Sequence, residues 1–236
     1  FVSSLSQFTL LSNMREMKQK NIEAIKCLIQ IANTNGNYLQ ESWTQVLNCI
    51  SQLAKIHILG STRVADVAQQ QIIQAERMRR QDSAGTISVR VFENINAASV
   101  AEQINVDEID KIFSNTVSLN DNAIVFFVKC LCAVSHAEVS SPDPRTFSLQ
   151  KLIEIAYYNM TRIRFVWTRI WGIMADHFKK VGLHKNNQIS MYAVDSLRQL
   201  AMKFLEKDEL ANYHFQKDFL KPFEYIISTN RSLAVR

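Results

Sequence analysis

The stretch Ser148–Phe204, SLQKLIEIAYYNMTRIRFVWTRIWGIMADHFKKVGLHKNNQISMYAVDSLRQLAMKF, decides the fold class of this chain. Leu149, Leu152, Ile153, Ala156 and Met160 recur at helical steps after Ser148, which can cap a first helix. A partner helix is expected from about Arg162 to Val181, with Ile163, Val166, Ile170 and Met174 as its core stripe. A third is expected to begin at Ser190 and to bury Ala193, Val194, Leu197, Leu200, Ala201 and Phe204. Two first helices thus start roughly forty residues apart, the helix-pair spacing of HEAT and armadillo arrays. The expected fold is all-α, a HEAT/armadillo-like right-handed stack of antiparallel helix pairs.

Working outward, residues upstream continue the same period. Ile22, Ile25, Ile29 and Ala32 share one helix face that Gly36 can end, and Leu39, Trp43, Val46, Leu47, Ile50, Leu53 and Ala54 continue as a second helix up to Gly60. Residues 14 to 60 therefore read as one antiparallel hairpin unit. Residues 61–104 are less regular, with Gln69-Gln70-Gln71, the basic Arg77-Met78-Arg79-Arg80 and the breaker Asp82-Ser83-Ala84-Gly85, and suggest a variable insertion with short helices or disorder. A short helix from Val106 to Phe113 and a strongly buried one carrying Ile124, Phe127, Val128, Leu131 and Val134 precede the break Ser140-Ser141-Pro142-Asp143-Pro144. The whole, residues 1–236, is expected to form a single helical-repeat domain. It begins Phe1-Val2-Ser3-Ser4, without an initiator Met, and is expected to be a piece of a larger protein.

Composition supports helices and offers no chemistry. With 3 Pro and 5 Gly in 236 residues, the chain holds far fewer helix breakers than the roughly 12% of ordinary usage. Cys27, Cys49, Cys130 and Cys132 sit inside apolar helical patterns and read as buried thiols. The most apolar window, Ala123 to Val134, is short for a membrane span and contains Lys129. His57, His136, His177, His184 and His214 are scattered without metal-ligand spacing, and the glycines form no phosphate loop, so neither catalysis nor a cofactor is expected. Trp43, Trp167 and Trp171 fall within core patterns, which makes stacking on nucleic acid the weaker reading. The sequons at Asn159 and Asn230 read as chance matches. Arg79-Arg80-Gln81-Asp82-Ser83 has the form of a basic phosphorylation motif.

Charge is unevenly placed. Residues 148–236 hold 14 Lys and Arg against 8 Asp and Glu, whereas residues 1–147 hold 13 against 14. Such a bias favours an acidic partner or an anionic surface. On the helix from Arg162, steps of seven and eleven residues align Arg162, Arg169 and Lys180, and Phe165 falls between the first two. An aromatic among arginines is a candidate partner-binding hot spot, although a neighbouring helix in a stack would cover Phe165 instead. Met191, Asp195, Arg198 and Met202 form a second stripe, opposite the core of the third helix, where inter-repeat packing is the expected use of the methionines.

Several longer motifs carry a family resemblance. Glu16-Met17-Lys18-Gln19-Lys20-Asn21-Ile22, Gly36-Asn37-Tyr38-Leu39 with Ser42-Trp43, and Cys49-Ile50-Ser51-Gln52-Leu53 come first. Asn122-Ala123-Ile124-Val125 with Leu131-Cys132-Ala133-Val134-Ser135, Phe147-Ser148-Leu149-Gln150-Lys151 with Tyr157-Tyr158-Asn159-Met160, and Trp167 to Trp171 follow. Ala193 to Ile227, through Lys221-Pro222-Phe223-Glu224, completes the order. Together these resemble the first homology region downstream of the Sec-seven domain in the brefeldin-A-inhibited (BIG) family of large Golgi Arf exchange factors.

That resemblance implies a non-catalytic, helical regulatory block that binds a GTP-bound Arf-type small GTPase, the anionic membrane surface, and other domains of the same exchange factor. It implies a cytoplasmic protein associated peripherally with Golgi and trans-Golgi network membranes, and no nucleic-acid partner. A helical scaffold for oligomerisation or intramolecular docking, without Arf contact, is the alternative reading.

Overall fold

The computed structural model describes residues 1–61, 84–206, 213–230 and 232. They are all-α: among them stand ten α-helices, four short 3-10 turns and no strand. In chain order the helices are α1 (Val2–Phe8), α2 (Gln19–Asn35), α3 (Trp43–Ser61), α4 (Ala84–Gln103), α5 (Val106–Ser114), α6 (Asp121–Val139), α7 (Phe147–Asn159), α8 (Arg164–Gly182), α9 (Asn187–Leu205) and α10 (Tyr213–Thr229). They group into two compact units, Phe1–Thr34 with Gln45–Lys111, and Asn35–Thr44 with Ile112–Arg236.

In the first unit, Ile22, Ile25, Leu28 and Ile29 of α2 are buried, as are Val46, Leu47, Ile50 and Leu53 of α3. Polar side chains close the open backbone around them. The buried Asn21 accepts from the Lys18 amide at 2.8 Å and donates to the Phe8 carbonyl at 2.6 Å, tying α1 to the start of α2. Asn33 donates to the Glu108 carbonyl, and Asn96 of α4 to the Met14 carbonyl. Within the 61–104 stretch, residues 84–103 form one 20-residue helix. Residues 62–83, including the basic phosphorylation motif, lie outside the described residues.

The second unit includes α6, whose Ile124, Phe127, Val128, Leu131 and Val134 are buried as their spacing requires. Asn120 caps this helix by accepting from the amides of Asn122 and Ala123. By length and mean hydropathy, 1.5, α6 could cross a membrane, more than the sequence reading allowed, but 61% of its most apolar window is buried inside the fold. The expected 14–60 hairpin divides differently. Its connection, residues 35–44, belongs with α6, where the Trp43 ring meets Phe127 edge-on at 4.6 Å and its Nε1 donates to the Gly36 carbonyl. A Cβ at Gly36 would stand 2.8 Å from Leu119 Cδ2 and 3.1 Å from the Trp43 ring, so a larger residue there would have to push these side chains aside.

Three helix starts differ from expectation: at α7 a tertiary partner supplies the cap, at α9 a local asparagine does, and at α8 an extended residue precedes the helix. Ser148 lies inside the first turn of α7, and its amide and hydroxyl both donate to the carboxylate of Glu138 on α6, at 2.8 and 2.9 Å. Helix α9 begins at Asn187, capped by the Asn186 side chain accepting from the Gln188 amide, while Ser190 is buried and donates to the Gly182 carbonyl. Helix α8 begins at Arg164 after an extended Ile163, with ψ 143°, so Ile163 leaves the helical register and is exposed rather than part of the core stripe. Trp167 and Trp171 occupy that interior instead. Trp171 stacks on Phe219 of α10 at 4.0 Å, and Phe219 on Phe204 of α9 at 4.4 Å.

Helix α10 lies close to α8. At Gly182 a Cβ would collide with Ile226, so the glycine is what permits the contact. Pro222 stands inside α10. Asn230 donates to the Gly182 carbonyl at 2.8 Å, and Asn159 is fully buried with partners on Thr116 and Ile155. Both sequon asparagines therefore use their side-chain amides inside the fold.

Candidate functional site

Helix α8 packs against α6, α9 and α10, which leaves one narrow face to solvent. Phe165 stands on that face in the first turn, 71% exposed, and the Arg169 guanidinium lies 5.9 Å from its ring centroid. Arg169 also donates to the Asn122 side chain at 3.3 Å. Ile163, immediately before the helix, is 67% exposed. Isolated exposed apolar residues are ordinary, but two large ones beside two exposed arginines, Arg164 and Arg169, make a patch with the composition of an interface centre.

Arg162 is placed quite differently. It sits in the turn between α7 and α8, and its Nη2 donates to the carbonyls of Thr116, Val117 and Leu119 at 2.9, 3.0 and 2.6 Å. Its Nε donates to Asn159 Oδ1 at 2.6 Å and its Nη1 reaches Asp121 at 3.3 Å. Burial lowers its pKa, with Asp121 acting in the opposite direction. The guanidinium is a pin: it holds the 115–119 turn against the 159–163 turn, so the exposed Val117 and Ile163 both project from a fixed edge.

Lys180 is exposed but stands eleven residues beyond Arg169 along the same helix, about 17 Å away at the helical rise. The structure thus brings Phe165 and Arg169 together, turns Arg162 away onto the 115–119 turn, and leaves Lys180 at the far end. The residue missed by periodicity is Ile163. Helix phase assigned it to the core, and only its extended backbone takes it out.

The second stripe is also uncovered. Met191 and Met202 on α9 are 49% and 53% exposed, so no helix of this chain among the described residues provides the packing expected for them. Arg198 donates to Asp195 at 2.7 and 2.9 Å and to the Met202 sulfur at 3.3 Å. Beside the stripe, α7 and α9 enclose a groove of about 540 Å³ lined by Ile153, Tyr157, Tyr158, Leu200 and Met202.

The groove between α7 and α9 also carries Glu154, Arg198, Lys203 and Glu206, each engaged in an ion pair: Glu154 with Lys151, Arg198 with Asp195, and Lys203 with Glu206. Among the described residues no three His, Cys, Asp or Glu side chains gather as metal ligands would. His177 is buried on α8 with its Nε2 2.9 Å from Ser135 Oγ, and burial, helped by His136 and Lys180, pushes its pKa down to about 4. Burial pushes the Cys49 thiol up to about 12 and the Cys132 thiol higher still, which makes both unreactive.

The comparisons with known proteins agree with one another. Residues 203–236 match the family described as Mon2/Sec7/BIG1-like, HDS. The whole chain is similar to brefeldin A-inhibited guanine nucleotide-exchange protein 1 of Homo sapiens, 47% identical over 259 aligned residues that cover 14% of that protein. Protein 1 of Rattus norvegicus matches at the same identity and coverage. Protein 4 of Arabidopsis thaliana is 38% identical over 272 aligned residues, all of this chain and 16% of the relative. The chain spans about a seventh of the length of the animal relatives it matches, 14%.

Proposed function

We propose a non-catalytic, regulatory role for this chain, which belongs along its whole length to the brefeldin A-inhibited guanine nucleotide-exchange family. In that role the block binds a GTP-bound Arf-type small GTPase, together with the anionic membrane surface beside it. It thereby recruits the exchange domain of the same large protein to Golgi and trans-Golgi network membranes and controls it. The helix pairs α7/α8 and α9/α10 are successive units of a HEAT/armadillo-like right-handed stack, and the chain acts as one helical-repeat domain.

The observation that carries this reading is Phe165. A phenyl ring left 71% in water beside the exposed Ile163, with a guanidinium 5.9 Å from its centroid, combines apolar area and cationic charge as a binding hot spot does. Apolar contact plus cationic charge suits the surface of a small GTPase resting on an anionic membrane. Phe165 and Arg169 would make the contact, Ile163 and Val117 would widen it, and Arg162 would hold its edge. Lys180 would add only long-range attraction.

Pull-down of the chain with Arf in both nucleotide states tests this. Binding is expected for the GTP form alone and is expected to fall at least tenfold in Phe165→Ala/Arg169→Glu, with the melting temperature unchanged because both side chains are exposed. Equal and negligible binding to the two states, with and without liposomes, would exclude the Arf contact. Loss of binding together with loss of thermal stability would mean that Phe165 serves packing.

A further inference from the structure

The α9 stripe has a symmetry that the proposed GTPase contact does not use. Met191, Asp195, Arg198 and Met202 follow one another at steps of four, three and four residues, the spacing of a two-helix seam. All four are exposed. Reversing the helix about the point midway between Ser196 and Leu197 exchanges Met191 with Met202 and Asp195 with Arg198. A second copy of α9 laid antiparallel on the first therefore sets methionine against methionine at both ends and carboxylate against guanidinium at the centre.

We propose that this face is a two-fold interface between two copies of the chain, with α9 packed antiparallel on its symmetry mate. In an isologous contact each residue pairing occurs twice, so a single complementary half specifies the whole. The central charges answer one another: Asp195 of each copy meets Arg198 of the other while keeping its own i,i+3 partner, now 2.7 Å away. Such a charge square fixes register and the antiparallel direction more than it adds affinity. A parallel alignment would oppose Asp195 to Asp195 and Arg198 to Arg198.

The groove beside the stripe shares Arg198 and Met202 with it and has Glu154, Gln199, Lys203 and Glu206 at its polar rim. Met202 lines it along with Ile153, Tyr157, Tyr158 and Leu200. In the antiparallel arrangement Met191 of the second copy arrives opposite Met202, at the mouth of that groove. An unbranched thioether fits an irregular apolar hollow with little strain, and the tyrosine rings offer it sulfur–aromatic contact. The remaining charges of the rim are satisfied within the chain, Glu154 by Lys151 at 2.8 Å and Glu206 by Lys203 at 3.3 Å, so closing the interface leaves no lone charge at these positions.

One helix crossing with two filled grooves is at the small end of specific interfaces, so a weak, concentration-dependent association is expected. The inference does not depend on the GTPase reading. Sedimentation equilibrium of the 236-residue chain from about 1 to 500 µM is expected to show a monomer–dimer equilibrium. Asp195→Arg alone and Arg198→Asp alone should each weaken it at least tenfold, because each places like charges across the two-fold. An equimolar mixture of these two variants should associate as the unmodified chain does, since every cross-pair is again complementary, and so should the double reversal Asp195→Arg/Arg198→Asp. Circular dichroism of each variant confirms that the exposed substitutions leave the helices intact. A chain that remains monomeric throughout, single reversals that associate normally, or a mixture that stays monomeric would each overturn the proposal and leave the stripe to a different partner helix.

Discussion

Two neighbouring residues of the same basic segment do opposite things. Arg162 is turned inward onto the carbonyls of Thr116, Val117 and Leu119, and Phe165 is turned outward into water. Residue type alone would have ranked them the other way. Arg162→Ala removes a charge-assisted donor set from partly buried carbonyls and is expected to lower stability by about 2–3 kcal/mol in urea unfolding. Arg162→Lys should recover little of this, because an ammonium cannot reach carbonyls and carboxylate in one planar fork. An unchanged midpoint in both variants would remove the pin from the description. Ile163 makes the complementary point, for an extended ψ at one residue took it out of the core that periodicity had assigned it to.

Within single elements, apolar spacing was a dependable guide to which face is buried and a poor guide to where a helix begins. All five apolar positions expected on α6 are buried, and α9 buries Ala193, Leu197, Leu200, Ala201 and Phe204 from the expected set, with Val194 intermediate. The starts of α7 and α9 were misplaced because Ser148 and Ser190 look like caps but serve as buried donors to other parts of the fold. For α7 the capping oxygens come from Glu138, ten residues upstream on a different helix, and no local rule reveals that. Glu138→Ala should therefore cost about 2 kcal/mol, the sum of a lost cap and a stranded Ser148 donor, whereas Ser148→Ala should cost less because the backbone amide keeps its acceptor. Equal losses for the two would make the hydroxyl contact the important one. The α9 stripe belongs to this scale too: its spacing was visible in the sequence, but its exposure was not, since an array could have covered it.

For the molecule as a whole, acid stability should carry the mark of His177, buried neutral between α6 and α8 beside Ser135. Its folded pKa, about 4, lies below the ordinary 6.5 because burial disfavours the imidazolium. The unfolded chain then binds the proton more readily between these values, so stability is full above about pH 6.5 and declines as pH falls toward 4, by about 3 kcal/mol over the window. Chemical denaturation at pH 7 and pH 4.5 checks this, and His177→Gln should flatten the difference. The sequence by itself determined the helical class, through spacing and the scarcity of Gly and Pro, and the family, through ordered motifs along nearly its whole length. It also marked the aromatic among arginines as a place to look. Only the tertiary structure decided which of those cations is spent holding two turns together and which remain exposed. Helical phase assigns a residue to a face, but exposure depends on what else packs there, and that is set by residues distant in the chain.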